Sequence, residues 1–138
     1  MLTLIRCDDR LIHGQCMTVI VKDYDIERIL VVDDFTATNP ILKTVFQTAL
    51  PPTIKGNVYT LKEAVSAIQE AMQDDSHTLL LMKSPIVFRD LRKEMDQLPA
   101  ELNIGPMSNR KNTKEATPTA FLLPDEAAAI KELAADNV

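Results

Sequence analysis

"RILVVDDFTATNPILKTVFQTALPP", residues 28–52, sets a β-branched apolar run directly ahead of an amphipathic one. "RILVV" is apolar without alternation and is bounded by charges, the pattern of a strand buried on both faces of a parallel sheet. Asn39 is a good N-cap and Pro40 suits the first helical position. Ile41, Leu42, Val45, Phe46, Ala49 and Leu50 then share one helical stripe. Pro51 and Pro52, which lack the N–H that a helix needs, end it. A doubly buried strand followed by a helix is the repeating unit of an α/β fold.

The same unit recurs on both sides. "LTLIR" reads as a first strand, and "GQCMTVIVKDY" as a helix with Cys16, Met17, Ile20, Val21 and Tyr24 on one face. "NVYT" is a short strand, and Thr60 with Glu63 makes a capping box before "LKEAVSAIQEAM". "HTLLLMK" is another buried strand, after which Ser84 and Pro85 open a helix carrying Val87, Phe88, Leu91 and Met95. Beyond Pro99, "ELNIGPM" reads as a strand, "SNRKNTKEATP" as a polar loop, "TAFLL" as a strand and "PDEAAAIKELAA" as a helix begun by Pro124 and Asp125. The alternation predicts one α/β domain over 1–138: a doubly wound, mostly parallel sheet with helices on both faces and right-handed crossovers. The closing "DNV" reads as a helix end and the first residue of a further strand, so a last strand is expected to be missing.

At 138 residues the chain suffices for one domain with a real core. With 46% hydrophobic and 25% charged residues it has the make-up of a soluble globular protein. No apolar run approaches the roughly 18 residues that span a bilayer. Asp8 and Asp9 interrupt any secretory signal, so a cytoplasmic location is expected. A net charge of −5 argues against a general affinity for nucleic acid. Cys7 and Cys16 are too few for a disulfide framework or a metal site and read as small buried hydrophobes, with a redox thiol pair as the alternative. Glycines occur only at 14, 56 and 105, which excludes both a G-x-G-x-x-G fingerprint and a Walker A loop.

"RCDDRLIHGQCM", residues 6–17, holds one of the two histidines of the chain in a charged loop directly after the first strand. Strand-to-helix loops lie at the carboxyl end of a parallel sheet, where ligands collect. The helix beginning near Gly14 or Gln15 offers free N–H groups and a dipole that favours an anion. His13 at that position suits a general base or a nucleophile that accepts a phosphoryl group. Its neighbours favour phosphoryl capture: Arg10 supplies a fork of donors and Gly14 removes a hindering side chain. Asp8 or Asp9 can fix the imidazole tautomer or bond back to loop amides. Against this, a lone loop histidine is usually solvated and Arg–Asp clusters are commonly surface ion pairs.

Other polar residues carry weaker signals. Asp33 and Asp34 follow the second strand and either line the same crevice or end the strand in solvent. Lys83 and Ser84 follow the fourth strand, although Ser84 has a sufficient role as an N-cap. His77 reads as an edge or turn residue. Arg110, Lys111 and Lys114 form a basic loop that is either solvated or suited to an acidic partner.

"RCDDRLIHGQ" closely resembles the active-site loop of IIB components of the mannose/fructose/sorbose family of the bacterial sugar phosphotransferase system. Residues 28–52 are similar to the second strand and helix of that family, and "NIGPM" resembles its "N-[IV]-G-G-M" segment. The resemblance implies a mannose/sorbose-type EIIB domain with His13 as the phosphorylated residue and Arg6, Arg10, Gly14 and Gln15 shaping the phosphate site. Asp8, Asp9, Asp34, Lys83 and Ser84 are supporting candidates. It further implies phosphoryl transfer from a IIA partner to a sugar held by membrane IIC and IID components, a homodimer, peripheral association with that membrane complex, and neither metal nor nucleotide. Pro106 departs from the pattern, since it replaces a glycine and removes an N–H. The competing reading is a non-catalytic α/β module that binds an anionic metabolite at the first loop.

Overall fold

A computed structural model describes residues 1–8, 15–105, 113–117, 120–136 and 138; residues 15–18, 115–117, 120 and 121 are described by backbone alone. In chain order the elements are β1 (Leu2–Cys7), α1 (Gln15–Asp23), β2 (Arg28–Val32), α2 (Asp34–Ala37), α3 (Pro40–Ala49), β3 (Lys55–Tyr59) and α4 (Leu61–Gln73). They continue as β4 (Thr78–Met82), α5 (Pro85–Glu94), β5 (Asn103–Ile104), β6 (Lys114–Thr117), β7 (Ala120–Leu122) and α6 (Pro124–Ala135). Five strands form one all-parallel sheet in the order β3-β2-β4-β1-β5. The expected α/β architecture with helices on both faces is the one observed. β6 and β7 pair antiparallel as a separate ribbon.

Side-chain alternation divides the core into two layers. Ile5, Cys7, Leu30, Val32, Leu80 and Met82 pack with Ala64, Ile68 and Ala71 of α4, Phe88 and Leu91 of α5, and Leu133 of α6. Ile29, Val31, Val58, Leu79 and Leu81 turn the other way, onto Ile20 of α1 and Phe46 of α3. Every residue of β4 is buried. Each of its apolar side chains is worth about 1.5–3 kcal/mol of burial, which makes β4 the spine of the domain.

The helix starts follow local chemistry. Asn39 Oδ1 accepts from the Ile41 and Leu42 N–H groups at 3.1 and 3.2 Å. Thr60 and Glu63 cap each other reciprocally, Glu63 N–H donating to Thr60 Oγ1 at 3.3 Å and Thr60 N–H to Glu63 Oε1 at 3.1 Å. Hydrogen bonds to its carboxyl from the backbone N–H of Thr60, and secondarily from the Thr60 side chain, hold Glu63 below its ordinary value.

Several expectations are corrected. Within the α3 stripe Phe46 is buried, but Ile41 and Val45 are 74% and 49% exposed, because the apolar stripe is wider than the face that meets the sheet. Tyr24, read as sharing one helical face with Ile20 and Val21, falls just past the end of α1 and is likewise exposed. α2 is too short for any periodicity to announce it. β6 occupies part of the stretch read as a polar loop, where backbone pairing with β7 takes over from side-chain pattern.

The end of α1 has a defined stop. Ile26 N–H donates to Val21 O at 2.9 Å and Asp25 N–H to Lys22 O at 3.3 Å, the paired bonds of a Schellman motif. Asp25 takes the left-handed position with φ of 52°, a conformation that penalises a Cβ. Asp25→Gly is therefore expected to stabilise the domain by up to about 1 kcal/mol, and Asp25→Val to destabilise it by a similar amount. Denaturant midpoints check this, and equal midpoints for the three proteins would contradict it.

Candidate functional site

Ligand crevices in open parallel sheets form where adjacent strands send their crossovers in opposite directions. β1 leads towards β2 on one side, whereas its neighbour β4 leads towards β5 on the other. The helices that follow differ in the same way: α1 lies on one face of the sheet and α5 on the other. The carboxyl ends of β1 and β4 therefore border the switch point. Asp8 extends the ladder there by donating its N–H to Met82 O at 2.9 Å.

One side-chain cluster stands on the β5 side of this point. Arg6 pairs in register with Asn103, and its Nη1 donates to Asn103 Oδ1 at 2.6 Å. Nη2 lies 3.9 Å from Oδ2 of Asp8, whose side chain is 3% exposed. Among the described residues Arg6 Nε, which is buried, has no acceptor, a state that costs about 1–3 kcal/mol relative to a satisfied donor. Gly105 makes room for the guanidinium: a Cβ built there would fall 2.7 Å from Arg6 Nη2 and 2.7 Å from Cys7 O. The Gly105 N–H closes the approach by donating to Cys7 O at 2.6 Å.

A second cluster stands on the β2 side. Lys83 Nζ lies 3.4 Å from Asp33 Oδ2 and 6.0 Å from the centroid of the Phe35 ring. Asp33 also caps α2, accepting from Thr36 N–H at 3.1 Å. Asp34 Oδ1 accepts from Leu61 N–H at 2.8 Å and so ties the end of β2 to the start of α4. Ser84 Oγ accepts from Ile86 N–H at 3.3 Å as the cap of α5. Asp33, Asp34, Phe35, Leu61, Val87 and Asp90 border a cavity of about 190 Å³.

The expected site residues thus fall into groups. Arg6 and Asp8 come together at the end of β1, and Lys83 and Ser84 at the end of β4. Asp34 stands at the same end of the sheet with its carboxylate committed to α4. Asp9, Arg10, His13 and Gly14 lie outside the described residues, as do Pro106, Arg110 and Lys111. Gln15 opens α1, and its side chain is not described. His77 is at the opposite, amino end of β4, its Nδ1 3.2 Å from Tyr24 O, in accord with an edge role. Asn103 and Gly105 carried no signal as single residues; only the short "NIGPM" segment marked them. Among the described residues, no three His, Cys, Asp or Glu side chains are grouped to hold a metal ion. No helix among them is long and apolar enough to cross a membrane.

Cys7 matches the expectation of a small hydrophobe: it is fully buried and unpaired. Burial raises its thiol far above the ordinary value, and the charges of Glu126 and Asp8 add to that effect. In a Cys16→Ser variant, the folded chain at pH 8 is expected to resist an aromatic disulfide reagent that titrates Cys7 fully in denaturant. Rapid reaction of the folded variant would contradict this reading.

Residues 2–138 match the family described as PTS system sorbose subfamily IIB component. The sorbose-specific EIIB component of Klebsiella pneumoniae is 34% identical over 132 residues, covering 96% of this chain and 80% of that protein. The mannose-specific EIIAB component of Escherichia coli K12 is 26% identical over 135 residues, covering 98% of this chain and 42% of that protein. The crystal structure of the IIBSor domain of the sorbose permease from Klebsiella pneumoniae superposes with a TM-score of 0.90 at 33% identity, over 100% of this chain and 84% of that one. The sequence motifs, the parallel sheet and these matches agree: the chain belongs to the sorbose subfamily of IIB components of the phosphoenolpyruvate-dependent phosphotransferase system.

Proposed function

We propose that His13 carries a phosphoryl group, accepted from a phosphohistidine of a IIA partner and passed to a sugar held by membrane IIC and IID components. The observation that carries this reading is topological. The loop bearing His13 joins the end of β1 at the switch point to the first turn of α1 at Gln15. The free N–H groups of that turn suit an anion. The relative named EIIAB joins a IIA and a IIB part under one name, in keeping with direct transfer between two such units.

The chemistry is an in-line exchange at phosphorus. A neutral nitrogen of His13 forms a P–N bond as the P–N bond to the donor imidazole breaks, and the released donor nitrogen takes up a proton. In the second step a sugar hydroxyl oxygen bonds to phosphorus as the P–N bond to His13 breaks; the hydroxyl proton leaves to base and the freed imidazole takes up a proton, which regenerates His13. Arg10, the amide groups at Gly14 and Gln15, and Arg6 offset charge on the equatorial oxygens, where fixed donors act most strongly. Asp8 or Asp9 holds the imidazole tautomer. Neither step draws on a nucleotide or a metal. The working unit is proposed to be a homodimer at the cytoplasmic side of the membrane complex.

His13→Ala is expected to abolish labelling by phosphorylated IIA while leaving the circular dichroism spectrum unchanged. Arg10→Lys should slow labelling about tenfold or more, since a point charge replaces a planar fork. Undiminished labelling of the alanine variant would end the assignment. A chain that only binds anions would gain no covalent phosphoryl mass at all.

A further inference from the structure

We infer that Asn103 and Gly105 are positioning residues for phosphoryl transfer, acting through Arg6; this rests on the phosphoryl-carrier reading above. Arg6 shares the parity of Leu4, which packs on the sheet face covered by α1 and α3, so its side chain rises on the face from which α1 departs. In register beside it on β5, Asn103 faces the same way, and Gly105 follows two residues later. Asn103 holds one end of the guanidinium through the 2.6 Å bond to Nη1. The space left by the absent side chain of Gly105 admits the other end, 2.7 Å from where a Cβ would stand. Together these contacts turn a long, flexible cation into one with a single placement, at 15% side-chain exposure.

The arrangement has the marks of a functional constraint. A guanidinium is weakly hydrated and always charged, and its planar fork loses its advantage if the plane can rotate. Asn103 is a neutral acceptor, so it orients Arg6 without adding to the partial compensation of its charge by Asp8, 3.9 Å from Nη2. The buried Nε has no acceptor among the described residues, and a packing role alone would be served as well by an apolar side chain with no such orphan. The positive charge is held at the mouth of the crevice while Arg10 belongs to the loop itself. The two arginines therefore have separable roles, one pinned to the sheet and one carried with the histidine.

The test is a double-mutant cycle on the full chain, with potassium phosphoramidate as a small phosphoryl donor that needs no partner protein. Wild type, Asn103→Ala, Arg6→Gln and the double variant are compared by the initial rate of acid-labile phosphorylation at His13. Asn103→Ala is expected to slow phosphorylation about fivefold to tenfold in the wild-type background and to have no further effect when Arg6 is already Gln. Gly105→Ala should slow it at least as much. Asn103→Ser, a shorter acceptor, should recover part of the rate. If Gly105→Ala fails to fold, the Asn103 cycle decides alone. Equal slowing in both backgrounds, or no slowing in either, would overturn the inference. Failure of the wild-type chain to take up any phosphoryl group would overturn the carrier reading itself, and this one with it.

Discussion

The position of β4 between β1 and β2 is the constraint from which the rest of the molecule follows. A strand buried from Thr78 to Met82 must be covered on both faces, and both neighbours must run parallel to it. Because β1 and β4 then send their crossovers in opposite directions, a crevice opens between their carboxyl ends. Apolar burial, which has no chemistry of its own, thereby decides where chemistry can be placed. The polar groups of the crevice are carried by the residues just beyond that apolar spine: Arg6 and Asp8 after Ile5, and Lys83 and Ser84 after Met82.

Those polar groups differ in what holds them. Asp33 caps α2 and pairs with Lys83, Asp34 anchors α4, and Ser84 caps α5. Each of these contacts stiffens a loop at the crevice mouth, so the acids and the hydroxyl serve as scaffolding for the site. Arg6 differs, since its guanidinium caps no helix: Asn103 and Gly105 place it beside Asp8, 3.9 Å away, as a fixed cation at the end of β1. A rim held by such contacts, with a pre-placed cation, is compatible with the proposed function, in which a phosphoryl group would arrive already bonded to another protein.

Much of this was legible in the residue order. Runs such as "RILVV" and "TLLLM" announce doubly buried strands, and the caps Asn39, Thr60 and Ser84 announce helix starts, because backbone satisfaction is a local matter. What escaped was tertiary. α2 is too short for periodicity, and β6 is specified by its pairing with β7. The exposure of Ile41 and Val45 depends on how far α3 tilts its stripe from the sheet, which spacing along the chain does not encode. At the proposed site, the "RCDDRLIHGQ" loop stands out in the sequence because a histidine, arginines and a glycine are chemically distinctive there; most of it lies outside the described residues. The contribution of Asn103 and Gly105 could not, because it exists only once β5 is laid beside β1, 97 residues apart in the chain.

The central claim is that a phosphoryl group resides on the imidazole of the loop between β1 and α1. Incubating the wild-type chain with phosphorylated IIA, digesting it with trypsin at alkaline pH and mapping the added mass tests this directly. The account predicts one acid-labile phosphoryl group on the peptide Leu11–Lys22. Label on the peptide Glu63–Lys83, which carries His77, or on neither peptide, would contradict it.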